Sequence, residues 1–360
     1  MAVPKKNNKK RNSIYTLAED LNLNPGTVSR ALRNRPEVSE ETRMQVQKRA
    51  DELGFRLQRF RPRTVNVCVL VQTVSTQESI FSSYVNAVMD GLWRYCMQND
   101  LELSLYSATI EKLNAGFLVR QLANRGVNGV VVVNASDDSR YFRLFNKEVF
   151  PYCAVMDGPE EARPWTLHVD SLRFGRRAAD YLIGLGHRRI AILLGNLRYE
   201  NFRLRLEAYR AALREHHLAE DDNLVLLPEK IMPPCSDDFS FGASGAAELL
   251  RLSDPPTAIL TMSDESAMGA LHTLHRQGFS VPGDMSLICF DDTRMAQFTN
   301  PSLTVVNIPN TDLGFEAGMI VHQRILKKEF TISENVSSRL GGDLLIRDSC
   351  GPAKSARPSA

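Results

Sequence analysis

No stretch of this 360-residue chain approaches the run of about 18 apolar residues that spans a bilayer, and its Lys- and Asn-rich opening carries no apolar core of a secretory signal. A cytoplasmic protein without a membrane partner is expected. The six cysteines, Cys68, Cys96, Cys153, Cys235, Cys289 and Cys350, lie scattered, mostly within apolar runs. They offer neither a CxxC pair nor Cys/His ligand spacing, so they read as buried, reduced thiols rather than a disulfide framework. No GxGxxG follows a strand-like run, and Walker, HExxH and GxSxG motifs are missing. Of seven histidines, only His272 and His275 share a helical spacing that suits a metal. A metal site needs three or four ligands, and no third is in view. Neither a metal, a cofactor nor enzymatic chemistry is expected.

The charge is unevenly spread. Residues 1–64 hold 15 Lys/Arg against 7 Asp/Glu, whereas the remaining 296 hold 29 against 35. A basic head on a mildly acidic body is the electrostatic footprint of a nucleic-acid module joined to a sensor or an enzyme. Residues 1–12, with Lys5, Lys6, Lys9, Lys10 and Arg11, read as a disordered basic tail.

Within the head, Leu17, Ala18, Leu21, Leu23, Val28, Ala31 and Leu32 trace two short amphipathic helices interrupted at residues 22–24. Ala18 is small enough to let two helix backbones cross closely. Asn22 suits a positive φ, Asn24 an N-cap and Pro25 the first helical position. A third helix is expected from Ser39, its cap, to Leu53 and Gly54. Beyond it, residues 56–64 carry Arg56, Arg59, Arg61 and Arg63 with Pro62. Such a linker either tracks phosphates and a narrow minor groove, with Leu57 or Phe60 as a wedge, or stays solvated and free.

From Val65 onward, short apolar runs alternate with amphipathic helical stretches. Strands are expected at 65–71, 101–107, 127–133, 152–156, 190–194, 258–262 and 286–290. Helices are expected at 84–99, 113–125, 139–145, 173–185, 206–216, 241–250 and 266–277. Two strand–helix series without hairpin signals describe two doubly wound parallel-sheet lobes with a ligand cleft at their strand ends.

The segment Thr27-Val28-Ser29-Arg30-Ala31-Leu32 resembles the recognition helix of the LacI/GalR family of transcription regulators, and residues 17–19 and 38–43 fit the same pattern. Residues 168–195, 203–209, 281–292 and 345–348 resemble blocks of that family's effector-binding core, so the likeness spans nearly the whole chain. It implies an all-α helix-turn-helix head (13–55), a short Arg-rich linker (56–64) and an α/β core like that of the periplasmic binding proteins. The first lobe would take 65–169 and 310–335, the second 170–309 and 336–350, with a tail at 351–360.

The resemblance further implies a homodimer that binds a pseudo-palindromic double-stranded DNA operator, as a repressor governed by a small metabolite, a carbohydrate or a derivative. Asn24, Pro25, Gly26, Thr27, Ser29, Arg30, Arg33, Arg59 and Arg61 would meet DNA. Pro25 and Gly26 stand where the family carries polar readers, so base reading leans on Arg30. The linker is shorter than the family's hinge, and Pro62 would interrupt a hinge helix.

Phe81, Asp157, Asn201, Arg205 and Asp291 match effector contacts, with Tyr199 and Asp264 beside them. Asp264 could instead cap a helix, Arg205 could be a surface ion-pair residue, Asp157 could begin a turn with Gly158, and Phe239 could serve as an aromatic lid. A DNA binder with a vestigial sensing domain is the alternative function. A transport binding protein would lack the basic head, and an enzyme would need an acid/base constellation that is not found.

Overall fold

Apolar residues at helical spacing from Ile14 onward build three helices: α1 (Ile14–Leu21), α2 (Pro25–Leu32) and α3 (Glu40–Glu52). They belong to the first of two units in the computed structural model, Met1–Thr64 and Val65–Ala360. The structure describes residues 14–32, 37–53, 64–73, 80–109, 115–137, 139–231, 237–327 and 342–354. Leu17, Ala18, Val28, Ala31, Leu32, Val38, Val46 and Ala50 close the core of the first unit.

The turn between α1 and α2 follows the sequence expectation. Asn22 adopts φ +50, and Asn24 Oδ1 accepts the Gly26 N–H at 2.8 Å to cap α2. Ser39 Oγ likewise accepts the Thr42 N–H at the start of α3. Gly54 and the arginine linker lie outside the described residues.

The second unit holds two sheets. The first comprises β1 (Asn66–Thr73), β2 (Glu102–Thr109), β3 (Gly129–Val133), β4 (Tyr152–Val155) and β5 (Thr166–Leu167), all parallel in the order β2-β1-β3-β4-β5. The second comprises β6 (Ile190–Leu193), β7 (Val225–Leu226), β8 (Ala258–Thr261), β9 (Ser286–Phe290) and β10 (Thr304–Val306). These run parallel in the order β7-β6-β8-β9-β10, with the short β11 (Leu344–Leu345) antiparallel on the outer edge of β10. Strand for strand, the two lobes repeat one topology. Val-rich β1 and β3 are buried along nearly their whole length, as befits strands covered on both faces.

The first lobe carries α4 (Ser83–Gln98), α5 (Ala115–Asn124) and α6 (Tyr141–Lys147); the second carries α7 (Ser171–Gly184), α8 (Glu200–Glu215), α9 (Pro228–Ile231), α10 (Asp238–Leu250), α11 (Asp264–Arg276) and α12 (Arg294–Phe298). The last helix, α13 (Asn310–Ile325), packs against α4, β3 and β4 of the first lobe although it follows β10 in sequence. The chain therefore leaves the first lobe after β5, returns at α13, and comes back to the second sheet at β11.

Three differences from the sequence expectation have physical causes. Helix α8 starts six residues before the expected 206 because its first turns carry Asn201 and Arg205, polar groups that interrupt the apolar periodicity. Helix α11 is capped by Ser263, whose Oγ accepts the Ser266 N–H while Ser266 Oγ accepts the Ser263 N–H. Asp264 is thus the first helical residue and not the cap. Helix α13 was not among the expected elements, since Gly314 and Gly318 dilute its helical signal.

Those glycines serve packing. A Cβ on Gly314 would stand 1.9 Å from the Val88 carbonyl oxygen of α4, and one on Gly91 of α4 would stand 1.7 Å from the Thr311 carbonyl oxygen of α13. The crossing of α10 with α11 uses Gly242 and Gly269 in the same way. Gly314→Ala is expected to lower the stability of the core by ~1–3 kcal/mol through overpacking. Gly184→Ala, on an exposed helix end with open space around it, should be neutral or slightly stabilising; urea unfolding of both variants checks the contrast.

Candidate functional site

The C-terminal ends of parallel strands collect unpaired backbone groups and the loops that follow them, and this is where doubly wound sheets bind ligands. In the first lobe, Asp157 lies two residues beyond the end of β4, and α4 follows β1 with Tyr84 in its first turn. In the second, α8 follows β6 with Asn201 and Arg205, α11 follows β8 with Asp264, and Asp291 directly follows β9. Met156, just before Asp157, has φ +66, and Asp291 has φ +71. Two non-glycine residues in the left-handed region flank the same site, a strain of the kind concentrated at ligand-binding positions.

Arg205 is the centre of the arrangement. Its side chain is buried, with the guanidinium 4.2 Å from the centroid of the Phe290 ring and 5.5 Å from that of Phe202. Among the described residues it makes no ion pair within 4 Å, and its buried Nε has no hydrogen-bond partner. The surface ion-pair reading of Arg205 is therefore overturned. Burial lowers its pKa, against the raising fields of Asp291, Asp157 and Tyr84.

The two carboxylates come from opposite lobes. Asp157 Oδ1 accepts the Asn201 N–H at 2.9 Å, and Asp291 Oδ1 accepts from Asn310 Nδ2 at 2.7 Å. Burial pushes Asp157 up to about 7 and Asp291 up to about 6, the nearby Arg205 charge only partly opposing it. Two acceptors remain without donors: Asn201 Oδ1 and Asn310 Oδ1 are both buried and unpartnered. A buried cation, two carboxylates and two acceptors without partners among the described residues thus line both walls of a polar cradle.

The remaining expected residues are placed as follows. Tyr199 lies at the start of α8 with its ring 6.2 Å from Phe202, and its hydroxyl shares an electrostatic environment with Tyr84. Asp264 is fully buried beside this set, its carboxylate accepting from Thr293 Oγ1 and from the Glu265 N–H. Phe81 stands 57% exposed ahead of α4, outside the buried group. Phe239 is 41% exposed, its ring tilted against His272.

Sequence reading missed Tyr84, Ser83, Asp238, Glu265 and Asn310. Tyr84 and Asn310 are polar residues opening otherwise apolar helices, the one signal that could have marked them. Ser83 donates its N–H and Oγ–H to Glu265 Oε1 at 3.0 and 2.5 Å, and Arg203 pairs with Asp137 at 3.0 Å, so the lobes are tied at several points.

In the head, Asn24 and Arg30 are exposed, and Pro25, Gly26, Thr27 and Ser29 are half-buried along the start of α2. Arg30 Nη2 reaches Thr27 Oγ1 at 3.4 Å, a loose contact made from an exposed position. Arg33, Arg59 and Arg61 lie outside the described residues. No group of three or more His, Cys, Asp or Glu able to hold a metal occurs among the described residues, and no helix there is long and apolar enough to cross a membrane. Cys68, Cys96, Cys153 and Cys289 are buried free thiols and Cys350 is a half-buried one; Cys235 lies outside the described residues.

A raised carboxyl pKa in the folded state means the fold binds that proton more tightly than the unfolded chain does. Its stability contribution is thus greatest at low pH and is lost as pH climbs from about 4 to about 7. Asp157→Asn, which keeps an acceptor for the Asn201 N–H, is expected to match the parent near pH 4 or below and to exceed it in melting temperature near pH 8. Thermal denaturation of the ligand-free protein across that range checks this, and a difference independent of pH would refute it.

Residues 179–350 match the family model described as a periplasmic binding protein-like domain. The transcriptional repressor PurR of Vibrio atlanticus is 25% identical over 319 residues, covering 88% of this chain and 93% of that protein. The transcriptional repressor CytR of Escherichia coli K12 is 29% identical over 308 residues, covering 83% and 85% respectively. In three dimensions the chain is similar to the lac repressor dimer bound to operator and an anti-inducer, with a TM-score of 0.74 at 19% identity over 95% of this chain and all of the other. With its helix-turn-helix head and twin doubly wound lobes, the chain is similar to the transcriptional regulators of the LacI/GalR family.

Proposed function

We propose that this regulator is a repressor that binds a pseudo-palindromic double-stranded DNA operator as a homodimer, its affinity set by a carbohydrate or sugar derivative held between the two lobes. The cradle around Arg205 carries this reading. A buried guanidinium, two carboxylates and two unpartnered amide oxygens need a ligand with several hydrogen-bond donors and acceptors on one small frame. Vicinal hydroxyl groups supply both, and the partly buried Phe202 offers apolar contact.

Coupling follows from where the groups originate. Asp157 and Tyr84 belong to the first lobe, Asn201, Arg205 and Asp291 to the second, so a ligand that bridges them changes the balance between lobe arrangements. An edge strand and a helix of the first lobe expose Leu105, Trp93 and Met97 (37, 51 and 50%), an apolar surface suited to a second copy. In such a dimer two heads would present two copies of α2 to half-sites related by the two-fold axis. The repressors among the relatives support the sense of regulation.

Two substitutions test the reading. Arg30→Ala should weaken binding to the specific operator by about 1–3 kcal/mol while sparing non-specific DNA; equal losses on both would remove Arg30 from base reading. Asp291→Ala should abolish ligand-induced change in operator affinity, with the dimer still folded. If no sugar or related metabolite stabilises the parent protein while operator binding persists, the sensing domain is vestigial.

A further inference from the structure

We infer that the effector carries a protonated amine, held by carboxylates of the second lobe, while its hydroxyl groups face Arg205; an amino sugar is the ligand class described. This rests on the reading of the cleft as a carbohydrate site.

Four carboxylates gather at one end of the cradle. Asp238 opens α10, Asp264 and Glu265 open α11, and Asp291 follows β9, near enough for their charges to act on one another. Each accepts only from neutral groups: Asp238 from Ser263 Oγ at 2.9 Å, Asp264 from Thr293 and the Glu265 N–H, Glu265 from Ser83, and Asp291 from Asn310. No Lys or Arg pairs with any of them among the described residues. The field of Arg205 acts on Asp291, at the edge of this group, and on Asp157 across the cleft.

A second, independent observation points to a donor. Asn310 is 5% exposed, and its Nδ2 is committed to Asp291, which fixes the amide's orientation. Its Oδ1 is left buried and without a partner. Acceptors therefore outnumber donors at this end. The helix dipoles of α10 and α11 offset only about half a charge each. Crowding is felt by the acids themselves, Asp238 being pushed up to about 7 by burial and by its neighbours' charge. A hydroxyl donates one proton and presents lone pairs to the carboxylates, whereas an ammonium donates three and presents none.

The test uses the full-length protein near pH 7 and matched pairs: D-glucosamine with D-glucose, D-galactosamine with D-galactose, D-mannosamine with D-mannose. Calorimetry should find an amine that binds at least about tenfold tighter than its neutral partner. Asp238→Asn should erase most of that ratio through the amine alone, leaving the neutral sugar's affinity in place; Glu265→Gln replaces it if circular dichroism shows Asp238→Asn unfolded. A neutral member binding as tightly as its amine in every pair, or a ratio unmoved by the variant, overturns the amine while the carbohydrate reading stands. Binding by none of the six overturns both.

Discussion

A guanidinium removed from water must be compensated, and in this core the compensation for Arg205 comes from both lobes at once. Its flat face lies on Phe290, while the fields of Asp157 and Asp291 act on it from either side of the cleft. Taking a charge out of solvent costs several kcal/mol even after relaxation. The relative placement of the lobes is thus electrostatically constrained, and any ligand that hydrogen-bonds Arg205 alters that constraint. The direct ties, Asn201 to Asp157 and Ser83 to Glu265, follow the same seam.

The repeated topology explains how such a seam arises. Each lobe turns the carboxyl ends of the same strand order toward the other, so loops after β4 and β9 supply equivalent acids, Asp157 and Asp291. The backbone there is forced into the left-handed region at Met156 and Asp291, a conformation that apolar side chains in particular resist. Elsewhere the lobes are conventional in packing. Helix pairs cross on glycines in both, at Gly91 with Gly314 and at Gly242 with Gly269, which brings the flanking helices close enough to seal the sheets.

Much of the fold was legible along the chain because burial imposes period. The mostly apolar runs at 127–133 and 258–262 read as covered strands, and Asn22, Asn24 and Pro25 spelled out the turn of the head. Periodicity failed where function interrupts it. Helix α8 looked shorter than it is because Asn201 and Arg205 face the cleft, and α13 was hidden by the glycines that let it pack on α4. Asp157, Arg205 and Asp291 were identifiable from motif position; Tyr84, Asp238 and Asn310 were not, since each is an ordinary polar residue until a distant segment lies beside it.

The sequence by itself determined the classes of element, the basic helix-turn-helix with Arg30 on its second helix, and the two strand–helix series, because those depend on local conformational preference and on hydrophobic spacing. Only the tertiary structure decided that Arg205 is buried without an ion pair among the described residues, that Asp264 yields the cap to Ser263, and that Asn201 and Asn310 keep oxygens without a partner there. Apart from the local cap, those properties depend on groups from separate elements, Asp157 and Asp291 among them, and no local pattern encodes which polar groups will share a cavity.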